Sequence, residues 1–295
     1  MEVLCGDDAS CISTGRRTSR VDHDGVCLIS SRSDGRTRWE FEERVVIGSR
    51  VEDRSFHNRI TGCGSLAKQG LYCTGIKAWR RYFLTRTTGC AVRLYEDVTE
   101  SGGQNSLWGA GLVMADYIES NLSAELREKR VLELGAGAGV AGMVVAATCE
   151  AVKVVCTEQP TCMRYLERNL AMNPHLSTHV DARTLYWTTN AQQMPREEQF
   201  DCVLACDVTY DPSLFTSLLA TMKSHLRPED TAFALICHDN DSCPLSPRAE
   251  AELSVRCKEQ GFTFTPISLR GVVTETFYEK TMRMWRLTHA HPLTS

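Results

Sequence analysis

The chain contains no long hydrophobic run, and this absence narrows the class of protein to which it can belong. None of its apolar segments approaches the roughly 20 residues that a membrane-spanning helix needs. Residues 1–20 also lack the hydrophobic core of a secretory signal peptide. The sequence therefore predicts a protein of the cytoplasm, with the nucleus as a second compartment, and no membrane partner.

A surplus of positive charge is also missing. The 295 residues include 33 Lys and Arg against 37 Asp and Glu, which gives a formal net charge of −4. Proteins that bind nucleic acid through its phosphates usually carry a basic balance or a basic patch. The composition therefore predicts no nucleic-acid partner.

Cysteine pairs with the spacing of a zinc or redox motif are absent, although the chain has 14 cysteines. The close pair Cys202 and Cys206 fits neither kind of motif. Cys156, Cys202, Cys206 and Cys237 lie in apolar runs, where a thiol is usually a small buried hydrophobic group. We therefore expect no metal site and a reducing compartment.

Composition and periodicity divide the chain into three parts. Residues 1–36 are rich in Ser, Asp, Arg and Gly without hydrophobic periodicity, which predicts a disordered tail. Residues 37–98 are predicted to form a small β-containing extension. In residues 99–290 strands and helices alternate, as in a doubly wound α/β sheet. The last two predicted strands, residues 262–267 and 277–287, are expected to pair antiparallel.

The most informative motif is a glycine-rich turn between a predicted strand and a predicted helix. Apolar residues 131–134 precede Gly135, Gly137 and Gly139, whose missing Cβ atoms allow a nucleotide to lie against the backbone. The next predicted strand carries Glu158 at its C-terminal end, where the carboxylate can accept both hydroxyls of a ribose. This order of elements favours a nucleotide cofactor over a glycine-rich turn that binds nothing.

Two nucleotide cofactors compete for this motif. Residues 137–142 satisfy the NAD fingerprint, but a fingerprint that begins where the strand ends, at Gly135, has Val140 in place of its third glycine. Glu133 lies inside the strand and would repel a pyrophosphate, whereas it suits the ammonium and sulfonium groups of S-adenosyl-L-methionine. We therefore predict S-adenosyl-L-methionine. Glu133 could also brace the loop by accepting backbone N–H groups, and the two roles are compatible.

A second motif follows the predicted strand over residues 200–206. Asp207 comes directly after this strand and Tyr210 three residues later, so both are expected at the carboxyl edge of the sheet. Ligands of open α/β sheets bind outside this edge, where the strand order reverses. The motif predicts that Asp207 and Tyr210 belong to the site; the alternative is a helix-capping acid and an ordinary half-buried tyrosine.

Together these motifs resemble the methyltransferase-16 group of seven-β-strand (class I) protein-lysine methyltransferases. The resemblance covers about residues 99–287. It rests on Trp108 ahead of Met114-Ala115-Asp116-Tyr117, the Glu133–Gly137 loop, Thr157-Glu158, Asn169-Leu170 with Asn173, Leu185-Tyr186-Trp187, and Ala205-Cys206-Asp207-Val208-Thr209-Tyr210. This chain departs from the group where Glu158 replaces a common Asp, and where residues 237–242 lack an Arg or Glu often found there.

The resemblance implies a seven-strand methyltransferase sheet with a terminal antiparallel hairpin, and it assigns roles to individual residues. With Glu133 included, the predicted cofactor-binding residues are Trp108, Glu133, Gly135, Ala136, Gly137, Glu158, Trp187 and Cys206. Asp207 and Tyr210 are the predicted catalytic residues and form the rim through which the acceptor amine enters.

The sequence therefore predicts an enzyme that N-methylates a lysine of a protein substrate with S-adenosyl-L-methionine. A protein-histidine or small-molecule methyltransferase is one alternative. An inactive cofactor-binding scaffold is another, since the extension over residues 37–98 could dock a partner. The intact Asp-x-x-Tyr motif, Asp207 to Tyr210, favours an enzyme.

Overall fold

The computed structural model describes the backbone and side chains of residues 85, 88–95, 107–240, 244–269 and 281–290. It describes the backbone alone for strands within residues 10–47 and for residues 78–84 and 96–97. An antiparallel sheet comprises β1 (Ser10–Thr14), β2 (Arg17–Val21), β3 (Cys27–Ser33) and β4 (Arg36–Phe41), in that order. A second sheet comprises β5 (Val45–Ile47), β6 (Ala78–Leu84) and β7 (Ala91–Asp97).

Strands β1, β2 and β3 lie within residues 1–36, and the disordered tail that the sequence predicts there stays a prediction. Each strand of the first sheet pairs with the next one along the chain, so these pairings need only local contacts.

The predicted doubly wound sheet is confirmed. Within the described residues it has seven strands in the order β10-β9-β8-β11-β12-β14-β13. The strands are β8 (Arg130–Leu134), β9 (Lys153–Glu158), β10 (Val180–Thr184), β11 (Cys202–Cys206), β12 (Phe233–Asp239), β13 (Phe262–Pro266) and β14 (Met282–His289). Pairing is parallel except for β14, which runs antiparallel to both neighbours, β12 and β13. Residues 277–280 of the predicted last strand lie outside the described residues.

Helices connect the strands on both faces of this sheet. They are α1 (Gly109–Tyr117), α2 (Val140–Thr148), α3 (Pro160–Ala171), α4 (Phe215–His225) and α5 (Pro247–Glu259), and a π-helical turn, Ile118–Leu122, continues α1. Local sequence sets several boundaries, since Pro160 occupies the first turn of α3 and the Ser246 hydroxyl caps α5. None of the helices in the described part of the chain is long and apolar enough to cross a membrane.

The sheet separates two hydrophobic cores because successive strand residues point to opposite faces. In β11, for example, Leu204 packs with α1–α3, whereas Val203 and Ala205 pack with α4 and α5. The chain runs outward from β8 through β9 to β10, and then returns to β11 on the other side of β8. The carboxyl ends of β8 and β11 therefore flank the point where the strand order reverses, which is where open α/β sheets bind their ligands.

Candidate active site

The loop between β8 and α2 takes its shape from its glycines. Gly135, Gly137 and Gly139 have φ of 62°, 53° and 80°, in the left-handed region that favours glycine. A methyl group added to Gly135 would lie 2.9 Å from Val208 Cγ1 and 3.2 Å from Trp187 Cζ2. The backbone angle therefore favours glycine at all three positions, and at Gly135 the available space requires it as well.

Glu158 lies beside this loop, as predicted from its position at the end of β9. Its Oε1 accepts the Gly137 N–H at 2.9 Å, and its Oε2 accepts the Gln159 N–H at 2.9 Å. The side chain is half-buried, and burial raises the pKa of its carboxyl. The loop also bonds to β9 through the Ala136 N–H, which donates to the Thr157 carbonyl at 2.9 Å. The carboxylate is thus held against the glycine loop.

Glu133 braces the start of α2. The residue is 1% exposed, and its Oε2 accepts the Gly142 N–H at 2.9 Å and the Cys156 thiol at 3.4 Å. Burial raises the pKa of the Glu133 carboxyl to about 7. This is the bracing role that the sequence analysis left open, and its contact with a cofactor stays a prediction.

Asp207 joins three elements at the edge of the sheet. It directly follows β11, its Oδ1 accepts the Asp239 N–H at the end of β12 at 2.7 Å, and its Oδ2 accepts the Ala110 N–H in the first turn of α1 at 3.4 Å. Burial, together with the nearby Asp239 charge, raises the pKa of the Asp207 carboxyl to about 7. Asp207 therefore caps α1, as the alternative interpretation expects. Its role in the site stays a prediction.

The remaining predicted residues lie on the same edge. Trp108 is the N-cap of α1 and lies two residues before Ala110, whose N–H donates to Asp207. Trp187 is half-buried beside Gly135, and Cys206 ends β11. Tyr210 is 57% exposed, and partial burial, with the Glu158 charge nearby, raises its pKa. The structure thus brings the glycine loop, Glu158, Trp187 and the Asp207–Tyr210 loop to one edge.

Two supporting contacts were missed in the sequence analysis. The Asp239 amide holds Asp207, and the buried Thr209 Oγ1 lies 3.0 Å from His238 Nδ1, which ties the Asp207–Tyr210 loop to β12. The available signal was the continuous apolar run of β12, because a buried parallel strand ends at the same edge as its neighbour. Among the described residues, no group of His, Cys, Asp and Glu could hold a metal ion.

The order of the seven strands and the loops at the carboxyl edge of the sheet define a class I methyltransferase fold. The methyl donor of this class is S-adenosyl-L-methionine. The residues fit this cofactor: a Cβ at Gly135 would fill the space beneath Trp187, and each Glu158 oxygen accepts only one backbone N–H. Because a carboxylate oxygen has two lone pairs, Glu158 retains acceptor capacity for ribose hydroxyls.

The chain belongs to the lysine methyltransferase family, whose sequence model matches residues 88–243. Protein N-lysine methyltransferase METTL21A of Mus musculus is 30% identical over 148 residues, 50% of this chain and 66% of the relative. Calmodulin-lysine N-methyltransferase of Arabidopsis thaliana is 31% identical over 173 residues, 58% of this chain and 52% of the relative. EEF1A lysine methyltransferase 3 of Mus musculus is 29% identical over 127 residues, 43% of this chain and 53% of the relative. The chain thus spans between half and two thirds of the length of these curated relatives.

Proposed function

We propose that this protein transfers a methyl group from S-adenosyl-L-methionine to the side-chain nitrogen of a lysine in a protein substrate. One observation carries the proposal: the loop 135–139, with Glu158 bonded to it, shares a sheet edge with Asp207 and the exposed Tyr210. Membership of the lysine methyltransferase family supports the reaction type. Relatives named for calmodulin and EEF1A as substrates support a protein acceptor.

The cofactor would be held at the carboxyl ends of β8, β9 and β11. Glu158 would accept the ribose hydroxyls, while Gly135, Ala136 and Gly137 would line the carboxypropyl part. Trp108 would pack over the methionine end, Trp187 would flank the adenine, and the Cys206 backbone would contact the cofactor. The charge of Glu133 would suit the ammonium group. When bound, the cofactor supplies a methyl group on a sulfonium, which an amine attacks by in-line displacement, so that positioning provides most of the rate enhancement.

Asp207 and Tyr210 would prepare the acceptor amine. A free lysine has a pKa of about 10.4, so its ammonium group must release a proton to solvent before its nitrogen can attack. A partly apolar entrance disfavours the ammonium form. Asp207 can then accept an N–H of the neutral amine, because backbone bonds from two elements hold its carboxyl in one place. The exposed ring of Tyr210 would form the wall of the entrance.

We place the protein in the cytoplasm, with the nucleus as a second compartment. The eight cysteines of the described residues are thiols rather than disulfides, which supports a reducing environment. Microscopy of the tagged full-length chain tests this placement, and a signal confined to the secretory pathway would contradict it.

The decisive experiment incubates the recombinant chain and labelled S-adenosyl-L-methionine with a cell lysate. Mass spectrometry should find methyl-lysine in a small set of proteins, and Asp207→Ala should remove it. Glu259→Ala, a change to an exposed acid of α5, serves as the matched control and should leave the products unchanged. Label in RNA, histidine or small molecules without methyl-lysine would overturn the lysine assignment, and no label at all would favour the scaffold alternative.

A further inference from the structure

The outer edge of β7 is covered by two asparagine side chains. One edge of β7 pairs with β6, and the backbone groups of Arg93 and Tyr95 face the other way. The Arg93 N–H donates to Asn173 Oδ1 at 2.7 Å, and the Tyr95 N–H donates to Asn169 Oδ1 at 2.7 Å. Asn173 Nδ2 in turn donates to the Arg93 carbonyl at 2.7 Å. The two carboxamides thus replace a neighbouring strand.

The spacing of the asparagines matches the spacing of the strand. Asn169 lies in the last turn of α3. Asn173 lies two residues beyond the end of the helix, where the chain still turns and the Asn173 N–H donates to the Leu170 carbonyl at 2.9 Å. Four residues of helix advance by about 6 Å. Two strand residues, such as Arg93 and Tyr95, advance by about 6.7 Å. The match allows both bonds to form at once, so it fixes the register between β7 and α3.

Asn169 has a second partner that Asn173 lacks. Its Nδ2 donates to the carbonyl of Ala138, in the glycine loop, at 3.0 Å, and the residue is fully buried. The same peptide unit carries the Gly139 N–H, which donates to the Ala136 carbonyl at 2.7 Å. This peptide plane is therefore held from both sides. The remaining bonds of the Asn173 amide reach the Asn169 carbonyl at 2.7 Å and Met143 Sδ at 3.4 Å.

We propose that Asn169 is a positioning residue for the cofactor site, through which β7 fixes the glycine loop. The inference rests on the proposed cofactor function. Its carboxamide accepts from the strand and donates to the loop, so displacement of β7 is transmitted to the peptide between Ala138 and Gly139. β7, which precedes the methyltransferase sheet, thereby supports the cofactor site without contacting the cofactor.

The test compares Asn169→Ala with Asn173→Ala in the full chain. Each change removes a buried carboxamide that binds β7, so both should lower the thermal midpoint. Only Asn169→Ala should accelerate hydrogen–deuterium exchange in residues 135–140. Only this variant should weaken calorimetric binding of S-adenosylhomocysteine, by about two- to tenfold, the range for one neutral hydrogen bond.

A second pair, Asn169→Ser and Asn173→Ser, protects the test against loss of folding, because serine adds neither volume nor charge at these buried positions. Equal effects of the Asn169 and Asn173 changes on loop exchange and on affinity would overturn the inference. If the unaltered protein bound no S-adenosylhomocysteine, the proposed function would fail, while the exchange measurement would still decide whether Asn169 holds the loop.

Discussion

The loop after β8 and the loop after β11 lie on either side of the point where the strand order reverses, and both depend on a carboxyl group. Glu133 and Asp207 each accept a backbone N–H at the start of a helix, α2 and α1 respectively. Burial is the main reason why the pKa of each carboxyl is raised to about 7. By titration alone the two groups would be indistinguishable.

Their places in the strands separate them. Glu133 is inside β8, and its contacts are a helix amide and a thiol of the next strand. Asp207 comes after the end of β11, at φ of 54°, and its partners belong to elements that meet at the open edge of the sheet. A raised pKa therefore indicates burial, and it is the position at the sheet edge that supports the role proposed for Asp207.

The largest effect should come from Asp207. Asp207→Ala should lower turnover by about 100-fold or more, the range for loss of a group that acts on the reacting proton or amine. Asp207→Asn keeps an acceptor for the Asp239 N–H and should preserve the fold better. Steady-state kinetics, with circular dichroism as the check on folding, measure both variants. Full activity in a folded Asp207→Ala protein would show that the residue only caps α1.

Glu158→Ala should have the next largest effect, a loss of about 2–4 kcal/mol in binding of S-adenosylhomocysteine, because it would remove the two charge-assisted hydrogen bonds proposed between Glu158 and the ribose. Calorimetry measures the change. Glu158→Asp is the matched control, since it shortens the side chain but keeps the charge, and it should retain most of the affinity. Unchanged affinity in the alanine variant would remove Glu158 from the site.

Gly142→Ala tests the packing of Glu133 against the start of α2. The added Cβ would lie 2.4 Å from Cys156 Sγ and 2.7 Å from Glu133 Oε2, so we expect destabilisation by about 1–3 kcal/mol from overpacking. Gly111→Ala, where the nearest atom is Val140 Cγ1 at 3.0 Å, should cost less. Denaturant unfolding measures both free energies. Equal stability of the two variants would mean that Glu133 and Cys156 can move aside.

Glu133→Gln tests the buried carboxyl of this comparison through the pH dependence of stability. The raised pKa means that the folded state holds its proton more tightly than the unfolded state, whose carboxyl titrates near 4.5. This stabilisation is complete below pH 4.5 and is lost as the pH rises to about 7. The variant should therefore lose less thermal stability than the unaltered protein between pH 4.5 and 8. Parallel pH profiles would contradict burial as the cause of the shift.

The sequence predicted the features that depend on neighbouring residues. The glycine loop, the acid at the end of β9 and the acid after β11 follow from apolar runs and the residues that end them. The end of β10 does not follow from such a run: the strand ends at Thr184, and Trp187 lies beyond it and packs beside Gly135.

Contacts between distant segments could not be read from the sequence in the same way. The bonds of Asp207 to Asp239, and of Asn169 and Asn173 to β7, join residues 32 to 80 positions apart. Their partners are backbone amides, which every residue type except proline provides, so the identity of the residue at the other end carries no signal. The family resemblance included Asn169 and Asn173 but gave no indication of their hydrogen-bond partners.

The pairing of β8 with β11 has a consequence for the order in which the molecule assembles. At the start of these strands the Arg130 N–H donates to Asp201 Oδ2 at 2.8 Å, across 71 positions of the chain. The bond between Gly137 and Glu158 spans only 21 positions. Contacts close in sequence cost less loop entropy and tend to form sooner. During folding we therefore expect β8, α2 and β9 to assemble the nucleotide half of the site before β11 brings in the half that receives the acceptor.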